Sequence, residues 1–336
     1  MPVPWGSPGA PNRIPDITER AITVQQLRDV RTLLQRLTKV RLLKNTSSFS
    51  KSLGTFGHTI DWFQINLYQI TDEVIKKAIP HLDPDGEHDP HGGEKRWYSW
   101  VEFVATKPQR AKVMMSHWWG GRFIDFTTAI DRLVEDESFS INTPIWICTF
   151  ANCQFGEDFG AMLAESPFVK VLEATDLTVH IVDRISGSLY RSWCGLEIQH
   201  TIMNESELLL YTSAGRVGSQ YVSGGPIVES VKSWDIRRGE ASDPPYRRQI
   251  LNYIAGVDEL TGLSKTSSGA IALDHMKRPQ LEGGAEERRD AMAPARTNGQ
   301  AEYAYEARLF QTHGKHFEDL NMMVRLRVMK SIDCGR

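Results

Sequence analysis

Between residues 112 and 203 three short apolar runs alternate with amphipathic stretches, and this alternation restricts the chain to very few architectures. The runs are Lys112-Val113-Met114-Met115-Ser116, Pro144-Ile145-Trp146-Ile147-Cys148-Thr149-Phe150 and Leu177-Thr178-Val179-His180-Ile181-Val182-Asp183. Short apolar runs bounded by turns suit strands buried on both faces. After the first, Phe123, Phe126, Ile130 and Leu133 recur at helical spacing; Phe168 to Ala174 follow the second, and Trp193, Leu196, Ile198 and Ile202 the third. Parallel neighbours need a crossover that returns the chain to the same end of the sheet, and a helix supplies it. The expected class is α/β, a parallel sheet covered by helices on both faces, with Glu207 to Tyr211 placed to extend it.

The flanks divide accordingly. Residues 1–16, rich in Pro and Gly, read as a disordered arm. Residues 17–110 read as a helical extension: Leu27, Val30, Leu33, Leu34, Leu37, Val40 and Leu43 predict a helix from Val24 to Leu43, followed by a second from Trp62 to Ile79 and a short element from Tyr98 to Ala105. The core spans 111–256 and includes helices over Gly224–Trp234 and Tyr246–Ile254. Residues 257–300 read as a loop or linker. In 301–336 a final helix, Glu302 to about Met329, carries Leu309, Phe310, Phe317, Leu320, Val324 and Val328 for packing on the core or on a partner.

A net charge of −3 over 336 residues offers no clustered basic excess for nucleic acid, and the cations from Arg36 to Lys44 read as a solvated helix face. No stretch approaches the roughly 20 apolar residues that span a bilayer, and MPVPWGSPGAPNRIP has neither a basic nor an apolar leader region. Cys148, Cys153, Cys194 and Cys334 form no CxxC pair or disulfide framework, so reduced, buried thiols are expected. The expectation is a cytoplasmic protein without nucleic-acid or membrane partners.

Several chemistries lack their motifs. There is no GxxxxGK[ST], no GxGxxG after a strand and no GxSxG, which argues against an ATPase, a Rossmann dehydrogenase and an α/β-hydrolase. The loop from Asp83 to Glu94 has acids at calcium-loop positions one, three, five and twelve, but His88 stands at position six, where the turn requires Gly. His81, His88 and His91 lack the second ligand pair of a structural zinc site, so no metal is expected. Cys194 lacks the basic neighbour that would make it a nucleophile.

Two turns concentrate chemistry. Arg191-Ser192-Trp193-Cys194-Gly195-Leu196-Glu197 places a carboxylate in the first or second turn of the helix after the third strand. Open α/β sheets bind ligands at that end; the alternative is an acid that caps the helix or favours its positive N-terminus. Ser116-His117-Trp118-Trp119-Gly120 puts two indoles, a titratable ring and a hydroxyl where the first strand leaves the sheet. Adjacent tryptophans cannot both face one core layer, so at least one should line a cleft or interface, unless both pack beneath neighbouring helices.

Taken together, SHWWGGRF, TPIWICTFANCQ and RSWCGLE resemble the TIR (Toll/interleukin-1 receptor) superfamily, in which a WCxxE motif follows a later strand. Heterokaryon-incompatibility domains are similar in the same turns. The layout of FQINLYQITDEVI, MMSHWWG, WICTFANCQ, SWCGLEI and YRRQILNYIAG resembles a family of protist proteins sharing the SHWWG core, over roughly residues 60 to 256. The resemblance implies a three-layer, flavodoxin-like (TIR-like) sheet with added N- and C-terminal helices. It also implies cleavage of the nicotinamide–ribose bond of NAD, with NAD as substrate and no cofactor. The catalytic carboxylate carries over onto Glu197, which would stabilise the oxocarbenium-like ribose left by departing nicotinamide. Substrate contacts are implied for Ser116, His117, Trp118, Trp119, Gly120, Arg122, Asn152, Gln154, Asp183, Trp193 and Cys194. This reading expects a water-accessible acid beside an aromatic wall. The sequence departs from the pattern at Cys148, where relatives commonly end the second strand with an acid. The alternative is a non-enzymatic signalling module that assembles as a homo-oligomer through its core or C-terminal helix.

Overall fold

The computed structural model describes residues 12–82, 97–156, 160, 162–220, 222–241, 244–262 and 299–333. The strands are β1 (Ile22–Thr23), β2 (Val113–Ser116), β3 (Pro144–Trp146), β4 (Leu177–Ile181), β5 (Glu207–Thr212) and β6 (Gly215–Arg216). They form one mixed sheet in the order β1-β3-β2-β4-β5-β6. The central β3, β2, β4 and β5 are parallel neighbours, whereas β1 and β6 join the edges antiparallel. The parallel sheet expected from the sequence is therefore only the centre of the real one. Neither edge strand is legible in the sequence, because two residues carry no period.

The principal helices are α1 (Val24–Lys39), α2 (Phe123–Asp136), α3 (Pro167–Ala174), α4 (Ser192–Met203), α5 (Gly225–Lys232), α6 (Pro244–Ile254) and α7 (Gly299–Asp333). Strand alternation sorts the sheet's side chains into different clusters. Val113, Met115, Val179, Ile181, Leu209 and Tyr211 pack with residues of α1 and α2. Leu208 and Leu210 pack with α4 and α7, while Met114 and Trp146 pack with Phe168, Val171 and Leu172 of α3. The polar side chains Ser116, Thr178 and His180 share the parity of Met114, and so the face of α4.

Several expected boundaries move. The second apolar run leaves the sheet after Trp146, and Cys148–Ala151 forms a helical turn that buries Phe150 and Ala151; apolar character there serves packing. The stretch 67–82 is helical but contains a π turn at Thr71–Ile75. Residues 12–16 are not a loose arm: Ile14 is fully buried, its N–H donates to Glu102, and its carbonyl accepts from Arg20 Nε. The N-terminal extension also supplies β1 and shares a core cluster with β2, so it is integral to the fold. Residues 1–11, the His-rich loop and most of the 257–300 segment lie outside the described residues. Cys148, Cys153 and Cys194 are buried, and Cys334 lies outside the described residues. Among the described residues no helix is long and apolar enough to cross a membrane.

Within α7, Leu309, Phe317, Leu320, Val324, Val328 and Ile332 are buried, and Phe317 meets Phe310 edge to face at 5.1 Å. Replacing Phe317 by Ala should lower unfolding free energy by about 3–5 kcal/mol in a urea titration, the cost of a large cavity in a packed core. An unchanged midpoint would mean that α7 contributes nothing to the core.

Candidate functional site

Ser116 ends β2 and lies in register with His180 of β4. Glu197 is brought to them by α4, whose Gly195 allows Ile236 and Trp234 to approach so closely that any side chain there would meet the Ile236 methyl. One turn further, Thr201 Oγ1 is 2.8 Å from the Glu197 carbonyl and 2.9 Å from Thr178 Oγ1, which fixes the helix against β4. Ser116 Oγ then lies 2.5 Å from Glu197 Oε2 and 2.9 Å from His180 Nδ1, and His180 Nε2 lies 3.1 Å from Ser188 Oγ. Ser116, His180 and Ser188 are fully buried and Glu197 is 4% exposed.

Burial pushes the Glu197 carboxyl up to about 8, and the Ser116 hydrogen bond only partly opposes it. Burial also holds His180 down at about 4, against the favourable charge of Asp183. The four groups therefore form a chain with two proton arrangements. When Glu197 is ionised, Ser116 donates to it, His180 Nδ1–H donates to Ser116, and Ser188 donates to Nε2. When Oε2 carries the proton every bond reverses. The two arrangements differ by one proton.

The neighbours of Glu197 are also neutral. Burial, then the nearby Glu197 charge, raises the Cys148 thiol to about 12 and Cys194 well above the ordinary thiol range. Cys148 Sγ accepts the Trp119 indole N–H at 3.1 Å. His117 is held at about 4 by burial; its Nδ1–H donates to the Met115 carbonyl at 3.0 Å, leaving Nε2 as an acceptor 4.0 Å from Cys148 Sγ.

A cleft of about 190 Å³ opens over the same strand ends, bordered by His117 and Trp118 after β2, Asp183 and Arg184 after β4, and Thr212 of β5. From β2 the chain passes to β3 on one side and then to β4 on the other, and crevices at such reversals are where open sheets hold ligands. Trp118 lies across Gly120 and Gly187, where any side chain would collide with its ring, and the Arg191 guanidinium sits 4.7 Å from its centroid. Arg122 Nε and Nη2 contact Asp125 at 2.8 and 2.9 Å, and Arg184 Nε reaches the same carboxylate at 3.1 Å.

The site residues expected from sequence fall into groups. Ser116 and Glu197 meet directly, while His117, Trp118, Arg122 and Asp183 border the cleft. Asp183 also accepts the N–H groups of Ile185 and Ser188, so it shapes the turn. Cys194 is buried near Ser116 and Glu197. Trp119 packs edge to face on Tyr68, and Trp193 lies between Phe168 and Tyr246. Gly120 makes room for Trp118. Gln154 Nε2 donates to the carbonyls of Cys148, Thr149 and Asn152; the buried Asn152 side-chain amide has no partner for either polar atom among the described residues. The expected water-accessible acid is not found: Glu197 is covered, and Trp118 borders a cleft that Glu197 does not line. The cause is parity, since Ser116 turns toward α4 and the next residue, His117, toward the cleft.

Sequence reasoning missed His180, Ser188, Asp125 and Arg184. His180 did leave a signal, because Thr178 and His180 alternate with Val179 and Ile181 and so mark a polar stripe along one face of an otherwise apolar strand.

The raised Glu197 carboxyl has a definite sign in pH-dependent stability. Its protonated form contributes stability fully present below about pH 4.5 and lost as pH rises through about 8. His117 and His180 act oppositely, contributing above about pH 6.5 and losing that contribution as pH falls through about 4. Thermal melts of Glu197→Gln should gain on wild type as pH rises between about 4.5 and 8. A constant difference across that window would contradict a buried neutral acid. Comparisons with protein-family models, curated proteins and solved structures return no match.

Proposed function

We propose that this chain is a TIR-like N-glycosyl hydrolase that cleaves the nicotinamide–ribose bond of NAD, with Glu197 as the charge-stabilising carboxylate. The observation that carries the reading is a buried carboxyl at the ends of parallel strands whose hydrogen-bond donor is one neutral hydroxyl. A structural acid in that position ordinarily takes a cation or backbone N–H groups, because an unpaired buried carboxylate is costly. The strand order β3-β2-β4-β5 supports the flavodoxin-like part of the proposal, since it matches the 2-1-3-4 order of doubly wound sheets. The separate clusters on the two sheet faces fit three layers.

Nicotinamide leaves as a neutral base, so one carboxylate suffices. As the C–N bond breaks, its electron pair goes to nicotinamide and positive charge develops on the ribose beside Glu197. Water adds to that carbon and releases a proton, giving nicotinamide and ADP-ribose. In the resting site Glu197 is mostly protonated near neutrality, and the cationic nicotinamide ring of the substrate favours the ionised form. Trp118 and Arg122 border the cleft, and substrate would have to displace Arg191 from the indole and Asp125 from the guanidinium to stack on the one and bind phosphate with the other. Glu197 is 4% exposed, with Cys148 close enough to feel its charge, so substrate reaches it only when its cover shifts.

The burial of Glu197 favours one second reading, an assembly module in which the acid has no chemical role. Incubation with NAD separates the two. Wild type should release nicotinamide, with kcat/KM rising with pH toward a midpoint near 8, and Glu197→Gln should lose about 100-fold or more. His180→Phe, which keeps the acid but cuts the chain, should alter the pH profile. Release by wild type no greater than by Glu197→Gln removes the enzymatic reading.

A further inference from the structure

Beyond α1 the chain makes an excursion over residues 40–63 whose surface differs from the rest of the molecule. Between Asp29 and Asp61 there is no acidic residue, while Arg31, Arg36, Lys39, Arg41, Lys44 and Lys51 are cationic; the remainder of the chain carries a net charge of −9. Arg31 is held by Asp131, but the other five side chains are exposed and form no ion pair among the described residues. Interleaved with them, Val40, Leu42, Leu53, Phe56 and Phe63 are between 49% and 69% exposed. A solvated helix face, the reading of the Arg36 to Lys44 cations taken alone, does not carry large apolar side chains among its charges.

The backbone displays these residues. At the end of α1, Arg41 adopts φ 57°, a left-handed position ordinarily given to Gly, and the Leu42 N–H donates to the Leu37 carbonyl. In such a cap the residue after the reversal usually packs back on the helix; Leu42 instead is 69% exposed. Lys44 pairs antiparallel with Thr59, and the Ile60 N–H donates to the Leu43 carbonyl. Leu43 and Ile60 are therefore buried, while Leu42 and Lys44 face outward. At the far end Leu53 and Phe56 are exposed on either side of the turn at Gly54, with the Lys51 ammonium 4.9 Å from the Phe56 ring. Beneath, the buried Glu73 carboxylate takes the N–H groups of Thr46 and Ser47 together with the Lys77 ammonium, so the display is anchored.

We propose that this hairpin docks peripherally on an anionic phospholipid surface. Lys39, Arg41, Lys44 and Lys51 meet headgroup phosphates, while Leu42, Leu53 and Phe56 enter the boundary between headgroups and acyl chains. Charge complementarity selects this occupant: the acidic remainder of the molecule is repelled by the same surface, which orients the hairpin toward it. A nucleic acid would use the cations but leave Val40, Leu42 and Leu53 without a role. Peripheral docking needs no spanning segment.

The test is co-sedimentation of the full chain with phosphatidylcholine vesicles, with and without a third of phosphatidylserine. Wild type should pellet with the anionic vesicles only, and high salt should weaken it. Leu42→Ser with Phe56→Ser, and separately Arg41→Glu with Lys44→Glu, should each cut the partition coefficient by about ten-fold or more. All four positions are exposed, so thermal midpoints should match wild type. Failure to pellet, or pelleting that both double variants retain, overturns the proposal. So does a finding that these variants abolish binding of a labelled single-stranded RNA, or self-association without lipid, while vesicle binding is absent.

Discussion

The hydrogen bond from Ser116 to Glu197 fixes how the candidate site is built, because it joins the last residue of β2 to the second turn of α4 through a carboxyl with no cationic partner among the described residues. Burying a charge in that way is tolerated only if the surroundings let the group remain neutral. The surroundings do so consistently. His117 and His180 are held near 4, and the thiols of Cys148 and Cys194 are pushed far above neutrality. The centre of the sheet's carboxyl end is thus a compartment of titratable groups without net charge, in which a single proton on Glu197 decides the electrostatics.

How far the sequence reveals this follows from what each signal measures. Apolar runs and helical spacing find β2, β4, α2 and α4 within a few residues, because those elements bury long continuous surfaces. The same signal overextends β3 to Phe150, since a helical turn that is buried throughout is as apolar as a strand. Edge strands β1 and β6 escape it, being set by pairing with neighbours already in place. In the site, Ser116 and Glu197 are found through motif resemblance, and their contact follows from strand parity. Exposure is not legible: whether an acid on a helix meets water depends on what packs above it, and here Cys148 lies close enough to Glu197 to feel its charge.

Parity also explains why the acid and the cleft are separate. Consecutive residues of a strand point to opposite faces, so Ser116 turns toward α4 while His117 borders the cleft, although their backbone atoms are adjacent. Trp118 and Arg122 belong to the His117 side. The two compartments are linked through β4, where His180 contacts Ser116 and the turn that follows carries Asp183 and Ser188. The hydrogen-bonded chain from Glu197 ends at the buried hydroxyl of Ser188, whose own backbone N–H is held by the cleft-lining Asp183.

Cys148 limits which chemistry a single acid of this kind can support. An acid at that position would set two carboxyls in one buried compartment, and their repulsion would force the pair to share a proton. With a neutral thiol there, Glu197 titrates without a second carboxylate beside it. O-glycoside hydrolysis needs a proton donor for a poor leaving group together with a second carboxylate. Loss of nicotinamide needs neither, because the departing base is neutral once it takes the bonding pair. On the proposed reading, a thiol where the resembled superfamily commonly has an acid fits a leaving group that requires no acid, with Glu197 acting through charge alone.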